Sequence, residues 1–314
     1  MDTPPYNTTD RFMNKQKIKS SRELGLELAS ICGTHFLKLE NLHYGYWTLD
    51  LKVDLANLHK AQEQYTDFLI SNIPHGVKTI LDVGCGTGNI ARKLIDKGYT
   101  VDCVSPSPFL NERVHALLGD RVHIYESLYE QFKTDHKYDL VLFSESFQYI
   151  NMEQAMKNTE ELLNKDGYLL ICDVFKIDTD QKGIMGGGHK LKKFHDIIAK
   201  YPFEPVKDID ITPQTAPSLD LLDETLKNVA APAIEASLDY FSNKYRLMAK
   251  ILRWKYRKQI ERVYAKYLNG KRSAEDFRKY KTYRFLLYKK ACPVIPCISI
   301  AENRQKPALS NVAP

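Results

Sequence analysis

The sequence predicts a doubly wound α/β fold built on a parallel sheet, and three observations carry that prediction. From Thr79 onward, short aliphatic or β-branched runs alternate with helical patterns, the signature of strands joined by crossover helices. The first of those runs passes straight into glycines spaced by two, Gly84, Gly86 and Gly88. A helical pattern opens directly behind them, and strand, glycine turn and helix in that order make a ligand loop at the carboxyl edge of such a sheet.

Taken in order, the chain begins with a segment in which Asp54 caps a helical spacing of Leu55, Leu58, Tyr65, Phe68, Leu69 and Ile73, and two helices are expected before the sheet. The strand runs are 79–84, 100–105, 121–126, 138–144 and 168–175. Helices are expected between them at about 88–97, 108–118, 151–164 and 189–200, the third opened by Asn151 with Gln154 three residues on, a capping-box-like start. Beyond the glycine-rich stretch 183–190 and its helix, a short strand is expected at 208–212 and a last one at 282–289.

Between those two strands Ile234, Leu238, Phe241, Tyr245, Met248, Leu252, Tyr256, Ile260, Val263 and Tyr267 step by threes and fours until Asn269-Gly270 stops them. So long a connection exceeds the usual loop of roughly 2–6 residues. Residues 213–280 are therefore expected to form a helical cap whose apolar stripe lies over the ligand mouth. The core then comprises 19–212 and 281–302, with loosely ordered tails at 1–18 and 303–314.

Composition narrows the function classes. No apolar stretch approaches the ~20 residues of a membrane span, and the polar start carries no secretion signal. The six cysteines form no CxxC pair and read as reduced thiols of a cytoplasmic protein. No His/Cys/Asp cluster has metal spacing, so no metal is expected. The net charge of +6 conceals an asymmetry: residues 244–290 hold 17 Lys/Arg against three acids, and the remainder is net acidic. The outward face of that basic segment would present Lys244, Arg253, Arg257, Lys258, Arg262 and Lys266 to an anionic membrane, an anionic acceptor or solvent alone. A peripheral place at a membrane is one expectation from it.

The loop itself, Ile80-Leu81-Asp82-Val83-Gly84-Cys85-Gly86-Thr87-Gly88-Asn89, lets backbone approach a ligand closely and leaves helix N–H groups free behind it. Its spacing is GxGxG, with Asn89 where a dinucleotide fingerprint needs glycine. On these residues the chain resembles the class I S-adenosylmethionine-dependent methyltransferases, over about 35–290. YDLVLFSESFQYI (138–150) and NKDGYLLICDVF (164–175) resemble that family's following motifs. Ser105-Pro106-Ser107-Pro108 and LHYGYW (42–47) are similar to the subgroup of cyclopropane fatty acid synthases, sterol and tocopherol methyltransferases and natural-product methyltransferases.

That resemblance implies a Rossmann-like fold, S-adenosyl-L-methionine as cofactor and a small-molecule or lipid-like acceptor. It implies cofactor contacts from Asp82, Gly84, Cys85, Gly86 and Gly88, from Ser105 and Ser107, from Glu126 and Ser127 near the adenine, and from Ser144. Tyr46 and Trp47 would shield the sulfonium, together with Tyr44. Ser105 stands where many members carry an acid for the ribose.

Methyl transfer requires an in-line acceptor, and a base only when the nucleophile carries a proton. Candidates therefore gather at the ends of the fourth and fifth strands: Asp173 and Tyr149 as catalytic residues, Glu145 and His189 facing the substrate. Related sugar methyltransferases place a histidine where Tyr149 falls. Asp173 has two readings, an acceptor-orienting base or an acid hydrogen-bonded at a strand end, and His189 is equally an ordinary polar residue at a helix start. Three rivals remain: an RNA methyltransferase using the basic segment 244–290 with its ten aromatics, a non-catalytic interaction scaffold of the same fold, and a nicotinamide oxidoreductase, disfavoured by Asn89.

Overall fold

A computed structural model describes residues 41–179, 186–263 and 273–291. The expected tails, the first N-terminal helix, Cys32, Cys292 and Cys297, Lys266 and the Asn269-Gly270 stop lie outside the described residues.

The strands are β1 (Thr79–Val83), β2 (Thr100–Val104), β3 (His123–Tyr125), β4 (Tyr138–Ser144), β5 (Leu163–Lys176), the two-residue β6 (His189–Lys190), β7 (Phe203–Asp210) and β8 (Lys281–Lys290). They form one sheet in the order β3-β2-β1-β4-β5-β8-β7, with β6 paired to β5. The first five run parallel, and β8 is inserted antiparallel between β5 and β7. Strand order reverses between β1 and β4, so their carboxyl ends open a crevice.

The helices are α1 (Leu58–Ser71), α2 (Asn89–Asp96), α3 (Pro108–Leu118), α4 (Met152–Leu162) and α5 (Leu191–Ile198), followed by α6 (Thr212–Thr215), α7 (Pro217–Thr225), a π-helical turn (Leu226–Ala230), α8 (Ala231–Lys244), α9 (Arg246–Val263) and α10 (Ala274–Tyr280). Local chemistry sets several starts: Asp54 accepts from the Asn57 amide, Ser107 from Leu110 and Asn151 from Gln154, each satisfying an otherwise orphaned helix N–H.

The core has a layer on each face of the sheet. One packs α1, α2 and α3 on β1, β2 and β8 through Tyr65, Leu69, Leu94, Val114 and Phe285. The other gathers Phe143, Phe147, Phe175 and Phe194 under α4 and α5. Cys85, Cys103 and Cys172 are buried free thiols.

The stretch between β7 and β8 is helical in its described residues, but its stripe does not lie over the sheet. Ile234, Leu238, Phe241, Tyr245, Met248, Leu252, Tyr256 and Ile260 are all exposed, and no described side chain of α8 is buried. Among the described residues the two ends of this insertion dock: Leu219 and, from α10, Phe277 join the main core, and Leu221 packs beside Trp47, Leu51 and Ala61. The two long helices form an arm, their apolar side chains left exposed. No helix among the described residues is long and apolar enough to cross a membrane.

Candidate functional site

The crevice at the strand ends holds a cavity lined by the glycine loop, by Ser105 and Ser107 after β2, by Ser144, Glu145 and Tyr149 after β4, and by His43 from the N-terminal segment. Each glycine of the loop has a positive φ, yet the three serve different ends. A Cβ on Gly84 would lie 2.6 Å from that of Ser146, and one on Gly88 3.1 Å from Val114. These two allow close packing. A Cβ on Gly86 would meet nothing within 4 Å, and Gly86 lines the cavity, so its missing side chain leaves room there for a ligand.

At the end of β1, Asp82 is 1% exposed and its Oδ2 has no hydrogen-bond partner. Burial pushes its carboxyl up to about 7. A buried acceptor with no donor is costly, and the group it best suits is a cation or N–H donor entering the cavity. Ser105 accepts from the Ser107 amide at 3.3 Å, while its carbonyl accepts from Asn111, which fixes the lip of the second strand.

The fourth strand ends in a braced turn. Glu145 has φ +54, a left-handed conformation rare for a side chain of its kind. Its Oε1 accepts from the Tyr44 amide at 2.8 Å and the Tyr283 hydroxyl at 2.7 Å. Residues 147–150 then turn outward, leaving Tyr149 half exposed at the cavity.

Several expected contacts fall elsewhere, each for a visible reason. Asp173 is fully buried and does not line the cavity. Its oxygens accept from the Gln148 amide at 2.9 Å, the Gln148 side chain at 2.9 Å and the Val174 amide at 2.6 Å, so it braces the turn that carries Tyr149. Burial raises it to about 7 against those donors. His189 acts on the same turn: Nε2 lies 3.1 Å from the Phe147 carbonyl and 2.9 Å from that of Ile150. Two acceptors require Nε2 to carry the hydrogen, and burial lowers the imidazole from its ordinary value. Neither faces the cavity.

Trp47 packs in the small cluster with Leu51, Ala61 and Leu221, and its indole N–H donates to Ser218 at 2.9 Å. Tyr46 stacks on Phe68 at 4.9 Å, and Tyr44 lies against Phe277 and Tyr283. These aromatics anchor the N-terminal segment and do not shield the cavity. Glu126 accepts from Asn111 at 3.2 Å and the Ser127 hydroxyl donates to the Leu128 carbonyl. Leu128 and Tyr129, one step further on, are the residues that line it.

His43 escaped the sequence reading. It lines the cavity, packs on Tyr65 at 4.3 Å and is driven down to about 4 by burial, so it is a neutral wall. Its signal lay inside LHYGYW, where the larger aromatics drew attention. Among the described residues no group of three or more His, Cys, Asp or Glu is arranged to hold a metal.

A sequence profile described as a methyltransferase domain matches residues 58–205. The match runs from α1 to the start of β7 and includes the glycine loop and the turn after β4.

The chain is 24% identical over 156 residues to a ubiquinone biosynthesis O-methyltransferase of Rickettsia typhi, covering 47% of this chain and 63% of that protein. A geranyl diphosphate C-methyltransferase from Streptomyces coelicolor, solved with Mg2+, geranyl diphosphate and S-adenosyl-L-homocysteine, superposes with a TM-score of 0.60 at 15% identity over 88% of this chain and 100% of that one. A cyclopropane synthase from Mycobacterium tuberculosis does so with a TM-score of 0.58 at 17% identity, covering 80% and 90%. These structural likenesses establish the Rossmann-like class I fold. The chain spans between 53% and 64% of the length of the first curated relatives it matches.

S-adenosylmethionine is the cofactor of this fold class, and the residues present fit it. The unpartnered Asp82 oxygen suits an ammonium, the open side of Gly86 leaves room for the ligand, and the serines after β2 offer hydroxyls.

Proposed function

We propose that this protein transfers a methyl group from S-adenosylmethionine to a small-molecule or lipid-like acceptor held between Tyr149 and Glu145. The observation that carries the reading is the pairing of the orphaned Asp82 oxygen with the open face of Gly86 in one cavity. Asp82, Gly84, Cys85 and Gly86 would hold the amino-acid end, Ser105, Ser107 and Ser144 the polar middle, and Leu128 and Tyr129 the flat base. When bound, the cofactor supplies an electrophilic methyl on a sulfonium. The chain's own residues do the rest: Asp173 and His189 brace the turn that places Tyr149, and His43 walls the cavity from water. A lipid-like acceptor gains support from the relatives, whose names point to ubiquinone biosynthesis and geranyl diphosphate.

The test is calorimetry with S-adenosylmethionine and S-adenosylhomocysteine, followed by incubation of the protein with methyl-labelled cofactor and an organic extract of cells. Binding and a labelled product are expected. No binding of either nucleoside would overturn the reading.

Peripheral contact with an anionic membrane belongs to the same proposal. Arg246, Lys250, Arg253 and Arg257 share one row of α9 by their spacing, and beside them Leu247, Ile251 and Trp254 form a ridge 78%, 56% and 82% exposed. A basic row along an exposed apolar ridge suits headgroups and acyl boundary together, at up to ~1 kcal/mol per basic residue near the surface. Sedimentation with anionic vesicles at low salt, lost at high salt and with neutral vesicles, is the expected result. Binding to an oligonucleotide in preference to vesicles would return the RNA reading.

A further inference from the structure

Glu145 is held at a cost that packing alone does not explain. It is one of two non-glycine residues with positive φ among the described residues, a strained conformation for a residue that carries a side chain. It also lines the cavity, partly buried. Both of its hydrogen bonds, from Tyr44 and Tyr283, fall on Oε1, so Oε2 is the oxygen left for a ligand.

Behind Oε1 runs a line of buried hydroxyls. The Tyr283 hydroxyl lies 3.1 Å from that of Tyr65, and Tyr65 lies 3.0 Å from Ser144 Oγ, which returns to the cavity wall. Tyr283 has one hydrogen, and an ionised carboxylate is its strongest acceptor. With that hydrogen on Oε1, the Tyr65 hydroxyl has two acceptors in reach, the Tyr283 oxygen and the Cys172 carbonyl at 3.5 Å, and Ser144 can donate to Tyr65. When Tyr65 donates to Tyr283, the dipoles of the line add at the carboxylate. The line brings together β4, α1 and β8 and returns to the cavity wall at Ser144.

The surroundings of Glu145 contain no Lys or Arg ion pair to it among the described residues. His43 and Tyr44 face it from the N-terminal segment, Tyr65 from α1, Cys172 and Asp173 from β5, and Tyr283 from β8. His43 is neutral, and Tyr65, Tyr283 and Cys172 are pushed up, chiefly by burial, and keep their protons. Burial, partly offset by Tyr44 and Tyr283 and helped by the Asp173 charge, raises Glu145 to about 7. A group titrating near the working pH is well suited to moving a proton.

We propose that Glu145 is the proton acceptor of the methyl-transfer site, taking through Oε2 the proton of an O–H or N–H acceptor while the Ser144–Tyr65–Tyr283 chain holds its charge on Oε1. The inference rests on the methyl-transfer reading above. As the acceptor's lone pair bonds the methyl carbon and the carbon–sulfur pair stays with sulfur, the acceptor's proton passes to Glu145. Glu145 leaves the step neutral and then releases the proton to water. Tyr283 and Tyr65 are positioning residues, since they act through the carboxylate. The substrate class follows: the acceptor presents a protonated oxygen or nitrogen.

Two measurements test this, one independent of turnover. The first is carbon-13 NMR of protein labelled only in glutamate side-chain carboxyls, which leaves Asp82 and Asp173 silent. One resonance, lost in Glu145→Gln, should titrate well above the ordinary glutamate range, and further above it in Tyr283→Phe, which removes a donor to the ionised form. The second is the initial rate of labelled methyl transfer into the organic cell extract. Glu145→Gln should lower it by about 100-fold or more, with the dissociation constant for S-adenosylhomocysteine changed less than about twofold. The wild-type rate should rise with pH through the NMR midpoint, and Tyr283→Phe should move that rise to higher pH. A Glu145 resonance in the ordinary range, or Glu145→Gln transferring methyl as fast as wild type, overturns the inference. If wild type binds no cofactor, it is the methyl-transfer reading that fails, and the NMR titration still decides whether Glu145 is poised to accept a proton.

Discussion

Helix α1 and the arm α8–α9 carry the same apolar periodicity and meet opposite fates. In α1, Tyr65 and Leu69 are wholly buried, with Tyr65 against Tyr283 of β8 and neighbouring Phe68 against Phe285. In α8 and the bend that follows it, Ile234, Leu238, Phe241 and Tyr245 keep the same spacing and stay 40–56% exposed. The spacing makes a face, and only a partner surface buries it. For α1 that surface is the sheet. The arm leaves its apolar residues beside rows of Lys and Arg, with one acid, Glu261, among the described residues of α9, so its partner, if proteinaceous or lipidic, must tolerate positive charge.

The largest effect that separates the two regions is on ligand binding. Gly86→Val should weaken S-adenosylhomocysteine binding by at least ~100-fold, because the side chain projects where the backbone otherwise leaves room. The triple change Leu247→Asp, Ile251→Asp and Trp254→Asp should leave calorimetric affinity unchanged while abolishing vesicle binding. Weaker cofactor binding in the arm variant would show the two regions to be coupled.

Next comes the contrast within the loop. Gly84→Ala adds a left-handed strain and a 2.6 Å clash with Ser146, roughly 2–4 kcal/mol together. Gly86→Ala adds the strain without the clash, about 1–2 kcal/mol. Chemical denaturation of both variants measures the difference, and equal losses would mean that Gly86 is also a packing residue.

Asp173→Asn should cost about 1–3 kcal/mol of stability, since an amide group would face the donors on Gln148 and Val174. Cofactor affinity should change little. An intact thermal midpoint with lost turnover would instead restore Asp173 to the chemistry.

A smaller and graded effect is that of pH. Asp82, Glu145 and Asp173 are each raised to about 7 by burial. Their folded values lie above those of the open chain, so their favourable contribution is complete below about pH 4 and is lost as pH rises through about 7. The melting temperature of ligand-free protein should therefore fall between pH 5 and 8. Replacing Asp82 by Asn should flatten that slope in part. Smallest of all, Trp254→Ala should shift stability by less than ~0.5 kcal/mol, as expected of an exposed side chain. A larger loss would mean the arm is seated on something in solution.

What the sequence alone determined is local. Periods of two and of three to four located the strands and helices, helix starts followed from Asp54 and Asn151, and the strand–GxGxG–helix order located the cavity, because each depends on residues within one turn or one strand. Tertiary structure decided which polar residues face the cavity. Tyr283 reaches Glu145 from 138 residues away, and Tyr65 reaches Ser144 from 79. Asp173 and His189, placed at the right strand ends by sequence, turn their polar atoms onto residues 147–150, since that turn supplies the unpaired amides and carbonyls they satisfy. Trp47 is drawn into the α1–α7 packing by Ser218, while His43, four residues earlier, is left at the wall. A strand end fixes where a side chain starts, and the hydrogen-bonding groups within reach of it fix where it points.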